Sequence, residues 1–120
     1  MKKLLLLIAF VVITASLFSQ DIAGTWNGKL VLPNDNGSLR VVFHFEKSGE
    51  GYKGTLDSPD QNAYGLPLTT VEFKDKKLKF TAKDLGMEYN GTLKDSDTFE
   101  GTFSQNGQNL ELKLERKKEE

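Results

Sequence analysis

From Ile22 onward apolar and polar residues alternate, and turn signals interrupt the alternation at short intervals. This is the pattern of half-buried strands. It predicts eight of them, at about 24–32, 39–47, 51–57, 68–74, 77–83, 86–94, 97–104 and 108–116. Turn chemistry stands at the breaks, as in Pro33-Asn34-Asp35-Asn36-Gly37, Ser48-Gly49-Glu50, Asp75-Lys76, Asp84-Leu85-Gly86, Asp95-Ser96-Asp97 and Asn106-Gly107. No useful stretch carries a 3.6-residue apolar period, so no long helix is expected. The longest link, Ser58 to Pro67, holds two prolines and a glycine and reads as a loop within one domain.

Period-two alternation gives each strand an inward face. The inward sets run from Trp26, Gly28, Leu30 and Leu32 and Leu39, Val41, Phe43 and Phe45 through Tyr52, Gly54 and Leu56, then Thr69, Val71 and Phe73. They continue with Leu78, Phe80 and Ala82; Met87, Tyr89, Gly91 and Leu93; Phe99, Gly101 and Phe103; and Leu110, Leu112 and Leu114. The opposite face is solvated, as Lys77-Lys79-Lys83 and Glu111-Lys113-Glu115 show. Short antiparallel strands with one apolar face must hide both that face and their edges. Closing the sheet does both. The expected fold is all-β, a small up-and-down antiparallel barrel of about eight strands, with a two-layer β-sandwich as the alternative.

A local motif, aromatic-x-Gly-x-(Leu or Phe), recurs within the strands. It reads Trp26-Asn27-Gly28-Lys29-Leu30, Tyr52-Lys53-Gly54-Thr55-Leu56, Tyr89-Asn90-Gly91-Thr92-Leu93 and Phe99-Glu100-Gly101-Thr102-Phe103. Ring, glycine and aliphatic share one face. A glycine inside a strand marks a bend or a close approach. It makes room for a neighbouring ring and lets the strand coil, as a narrow barrel requires.

The chain opens differently. Lys2 and Lys3 precede the apolar run Leu4 to Phe18, and small Ser19 follows. These are the n-, h- and c-regions of a secretory signal. The run is shorter than the roughly 20 residues that span a bilayer. Residues 1–19 are expected to be a signal peptide and 20–120 a single β-barrel domain, with Gln20 the new terminus. The mature protein would be exported, periplasmic or extracellular, and off the membrane after cleavage.

Charge and composition narrow the chemistry. The formal net charge is −1 over the whole chain. Without residues 1–19, which carry Lys2 and Lys3, it becomes −3. A mildly acidic surface excludes general nucleic-acid binding, which needs a basic stripe. Zero cysteines exclude disulfides, thiolate metal sites and cysteine nucleophiles. With one histidine and no G-x-S-x-G, nucleophilic hydrolysis is not expected. His44 alternates outward with Arg40, Val42 and Glu46. Asp57 and Asp60 flank Ser58-Pro59, where aspartates usually brace a turn. No catalytic residue, metal or cofactor is expected.

Gly24-Thr25-Trp26 on the first strand resembles the G-x-W signature of lipocalin-like (calycin) barrels. By that resemblance Arg116, ending the last strand, would pack over the tryptophan at the closed end. A broader similarity rests on Gly24-Thr25-Trp26-Asn27-Gly28, Val42-Phe43-His44-Phe45, the run from Gly51 to Gln61, and Phe99-Glu100-Gly101-Thr102-Phe103. These look like the N-terminal β-domain found ahead of α/β-hydrolase (esterase-type) domains in exported proteins of the Bacteroidota. The resemblance implies an exported bacterial module, standing alone, because the chain stops at Glu120, where the hydrolase would begin.

Two functions remain open. The chain is expected to be a non-catalytic accessory module docking on a protein partner, an α/β-hydrolase by the resemblance. Its docking loop would run from Asp57 to Pro67, with Asp57, Asp60, Tyr64, Leu66 and Leu68 outside the core pattern. The alternative is a lipocalin-like binder of a small apolar ligand, held among Trp26, Phe43, Tyr52, Phe73, Phe80, Tyr89 and Phe103.

Overall fold

A computed structural model describes residues 21–118. The signal peptide expected at residues 1–19 lies outside the described residues. The described residues form nine antiparallel strands: β1 Gly24–Val31, β2 Ser38–Ser48, β3 Gly51–Ser58, β4 Ala63–Pro67, β5 Thr70–Lys74, β6 Lys77–Ala82, β7 Met87–Asp95, β8 Thr98–Gln105 and β9 Gln108–Arg116. They make one curled sheet in the order β4-β3-β2-β1-β9-β8-β7-β6-β5. The first and last strands pair, Trp26 opposite Arg116 and Gly28 opposite Leu114. The sheet is a barrel wall, not a two-layer sandwich.

The two sheet edges, β4 and β5, are consecutive in sequence. The stretch from Ala63 to Lys74 changes partner halfway along. Its first half pairs with β3, Leu66 opposite Leu56, and its second half pairs with β6, Val71 opposite Phe80. The crossing lies at Leu68, whose N–H donates to Gly54 O, and at Thr69, whose N–H donates to Thr81 O. Below the crossing, β3 and β5 lie side by side without a ladder. The Tyr52 and Phe73 rings meet edge to face there, centroids 6.5 Å apart.

The Ser58–Pro67 segment corrects the sequence expectation of a loop. Pro59 opens a 3-10 turn over Pro59–Gln61, Asn62 turns left-handed at φ 56, and Ala63–Pro67 is a strand. Pro67 ends that strand on a sheet edge, where a missing N–H is tolerated. The described residues therefore hold nine strands rather than eight. Thr69 is also corrected: it is exposed at the crossing, where its hydroxyl accepts the Lys83 N–H, instead of facing inward.

Elsewhere the period-two pattern sets the core. Trp26, Phe43, Phe80, Tyr89, Phe99, Leu112 and Leu114 are fully enclosed. The motif glycines show why the wall can curl this tightly. A Cβ on Gly91 would sit 2.6 Å from the Tyr89 ring, and one on Gly28 would sit 2.8 Å from both Leu112 and Leu114. Gly54 and Gly101 leave room for backbone instead, that of His44 and of Asn90 respectively.

Candidate functional site

One end of the barrel is sealed. Trp26 packs on Phe99 with centroids 4.8 Å apart, Phe73 meets Phe99 edge to face at 5.9 Å, and buried Ile22 closes the floor. The indole N–H of Trp26 donates to Ile22 O at 2.9 Å. Arg116 covers the ring from outside and donates to the carbonyls of Asp21, Ala23 and Ser96 and to the Asp97 carboxylate.

The middle of the barrel is filled by rings. Phe80 touches Phe43 at 4.6 Å, Phe45 at 5.7 Å and Tyr89 at 5.1 Å between centroids. The Tyr89 hydroxyl donates to Leu112 O, and burial pushes it far above the ordinary tyrosine value. Among the described residues, no buried side-chain nitrogen or oxygen lacks a hydrogen-bond partner.

The other end is hollow. A cavity of about 350 Å³ lies above the rings, inside the upper half of the wall. Its apolar lining comes from Leu30, Leu39, Val41, Leu56, Ala63, Leu66, Leu85, Met87 and Phe103. A volume of this order sits at the small end of the roughly 300–1,000 Å³ typical of ligand pockets. Three polar residues complete it, Ser58, Gln61 and Gln105. Ser58 is only 5% exposed and its hydroxyl donates to Gln61 Oε1 at 2.6 Å. Gln105 Nε2 donates to Leu85 O at 2.9 Å. Each glutamine thus uses one end of its amide on the protein and keeps the other.

The mouth owes its shape to the partner change of the wall. Where β4 leaves β3 for the crossing, β6 ends at Ala82. The 3-10 turn Lys83–Leu85 stands there instead, closed by Gly86 at φ 63, and places Leu85 at the rim. Arg40 and Asp60 tie the Pro59–Gln61 turn to β2. Asp60 Oδ1 accepts from Arg40 Nη2 at 2.8 Å, and Oδ2 accepts the Arg40 backbone N–H at 2.9 Å. Those bonds from Arg40 hold the Asp60 carboxyl below its ordinary range.

A second cluster lies on the outer face. Thr25 stands opposite His44 across β1 and β2, and Asp57 lies one step along β3. His44 Nδ1 is 3.1 Å from Thr25 Oγ1, and its Nε2 is 2.9 Å from Asp57 Oδ2. Asp57 Oδ1 accepts the Gly65 N–H at 2.8 Å. The Gly65 N–H and then His44 lower the Asp57 carboxyl below its usual value. The row ties four strands together beside an outer groove of about 550 Å³, flanked by Lys53, Thr55, Pro67 and Leu68.

The residues singled out by sequence are dispersed. Of the seven rings, Trp26 is enclosed at the sealed end against Phe99, Phe43 and Tyr89 pack on Phe80 in the middle, Tyr52 and Phe73 face each other across the lower seam, and Phe103 lines the cavity. Of the segment 57–68, Asp57 joins the His44 row, Asp60 binds Arg40, and Tyr64 is 61% exposed. Leu66 and Leu68 pack against the core, which corrects their placement outside it. The polar lining residues Ser58, Gln61 and Gln105 carry no sequence signal beyond standing at strand ends, and only the curl of the sheet brings them together.

No family model and no curated protein matches the chain. Two solved structures resemble it. A redesigned β-barrel aligns over 81% of this chain and 92% of its own, with TM-score 0.53 and 24% identity. A de novo designed fluorescence-activating β-barrel aligns over 82% of this chain and 96% of its own, with TM-score 0.50 and 18% identity. The chain is a β-barrel.

Proposed function

We propose that this barrel is a non-catalytic binding module whose site is its open mouth, and that it holds a small, mostly aliphatic molecule. One observation carries the reading: the partly open, largely apolar space of about 350 Å³ above a ring-filled floor, with three polar residues in its lining. Small-ligand sites combine these features, largely apolar walls and few placed polar groups. At the ~30 Å³ that a water occupies in the liquid, the space suits roughly a dozen heavy atoms. The site is thus the mouth rather than the ring cluster, because the rings already fill the space between them.

The Thr25–His44–Asp57 row does not favour catalysis. Its hydroxyl, imidazole and carboxylate stand in the order of a proton relay. But His44 belongs to β2, which has ladder partners on both edges, and an acyl transfer needs free donors aimed at the oxyanion. The row supports a structural role.

The docking reading retains one supporting observation. Tyr64 is an exposed large ring on an edge strand, and the unpaired backbone groups of an edge can pair with another chain. Export of the module, by the leader in residues 1–19, belongs to both readings, as does the lipocalin-like ancestry that would pair it with a hydrolase.

Thermal melting with a panel of medium-chain aliphatic compounds tests the proposal. A true ligand at a hundred times its dissociation constant stabilises the fold by about 2.7 kcal/mol. Ala63→Phe, which fills the mouth, should abolish the shift. A panel that leaves the melting temperature unchanged, with Tyr64→Ser losing capture of a partner hydrolase, would shift the function to docking.

A further inference from the structure

The mouth offers a ligand amide N–H donors and oxygen acceptors, and no charge. Gln105 commits Nε2 to Leu85 O. A carbonyl only accepts, so the orientation of this amide is fixed and Oε1 is the end left over. Gln61 commits Oε1 to the Ser58 hydroxyl, which leaves its NH2. Both glutamines line the cavity, and among the described residues none that lines it is charged. Arg40 is held by Asp60 through two side-chain bonds, and Lys83 and Asp84, adjacent in the turn at the rim, have opposite signs.

We infer that the mouth selects an aliphatic molecule with a neutral head that both donates and accepts, a primary amide or an alcohol, over the matching carboxylate or ammonium. The inference rests on the reading of the mouth as the ligand site and specifies its ligand class. The physics is a difference of desolvation. An ionised head loses its water on entering an apolar cavity and finds no opposite charge there. A neutral amide loses less, and its N–H and C=O meet Gln105 Oε1 and the Gln61 NH2. Where a site's own polar groups would be left unpaired, discrimination becomes steep.

Decanamide has about the dozen heavy atoms that the space holds at ~30 Å³ each, and decanoate and decylamine differ from it only at the head. Isothermal titration of the protein at neutral pH, below the aggregation limit of each compound, compares the three directly. Decanamide should bind at least tenfold more tightly than either charged analogue. The Gln61→Met and Gln105→Met variants should lower the decanamide affinity towards that of the charged pair. The ratio of affinities within one sample does not depend on the fraction folded, so a destabilised variant still reports. Decanoate or decylamine binding as well as decanamide would overturn the head-group inference and leave the mouth as a ligand site. Binding of none of the three would overturn both.

Discussion

The Arg116 guanidinium lies 4.5 Å from the centre of the Trp26 ring and joins the last strand to the first. The same group donates to three backbone carbonyls and to Asp97. It therefore satisfies the ends of two segments while sealing the barrel floor. Charged hydrogen bonds are worth about 1.5–3 kcal/mol each at most, and a cation over a ring adds about 0.5–2 kcal/mol. Since Arg116 is partly solvated, Arg116→Ala should lower stability by about 2–3 kcal/mol in urea unfolding. Arg116→Lys should recover little of it, because an ammonium cannot serve the diverging partners. A loss below about 0.5 kcal/mol, the range of ordinary surface changes, would mean the clasp is ornamental.

This clasp was legible in the sequence, since G-x-W on the first strand and an arginine ending the last one mark both partners. The period-two faces were legible too, and Trp26, Phe43, Phe80 and Leu112 lie buried where alternation puts them. The partner change at Leu68 and Thr69 was not. Alternation reports which face a residue shows, not which strand it pairs with. Two prolines and a glycine between Ser58 and Pro67 hid a strand that needs few ladder bonds because it is an edge. The cavity was illegible for a related reason. Whether a small barrel is filled depends on how rings distribute along its axis. Here Phe43, Phe45, Phe80 and Tyr89 gather in the middle and leave leucines at the mouth.

Gly91→Val tests the tight curl. Its Cβ would stand 2.6 Å from the Tyr89 ring, and overpacking of this kind costs roughly 1–3 kcal/mol. Gly51→Ala is the control, since a Cβ there meets nothing within 4 Å. Thermal melting should separate the two by several degrees, and coincident curves would place Gly91 away from the crowded face.

Acid should loosen the β3–β4 junction. The folded value of Asp57 is lowered from 3.8 by the Gly65 N–H and by His44. Its contribution is therefore complete above that ordinary value and disappears as pH falls through the lower folded one. Asp57→Asn keeps an acceptor for Gly65 but removes the ionisation. Its melting temperature should fall less steeply than the wild type's between about pH 5 and pH 2. Parallel curves would assign the acid limb to Asp21 and Asp60, both also lowered.

On the β4 edge, Tyr64 and Leu66 should respond differently. Exposed Tyr64 changed to serine should alter stability by no more than about 0.5 kcal/mol. Leu66→Ser removes a half-buried side chain from the cavity wall and should cost about 1–2 kcal/mol of lost burial. Equal small effects would return Leu66 to the surface.

On the proposed reading the open end, not the ring cluster or the outer groove, holds the ligand. Methyl-labelled protein titrated with decanamide and followed by carbon–proton correlation spectra tests it most directly. Shifts are expected in the methyls of Leu30, Val41, Leu56, Leu85 and Met87, with those of Leu93 and Leu114 near the sealed end unmoved. Spectra that do not change, or shifts confined to Thr25, Thr55 and Leu68 beside His44, would contradict it.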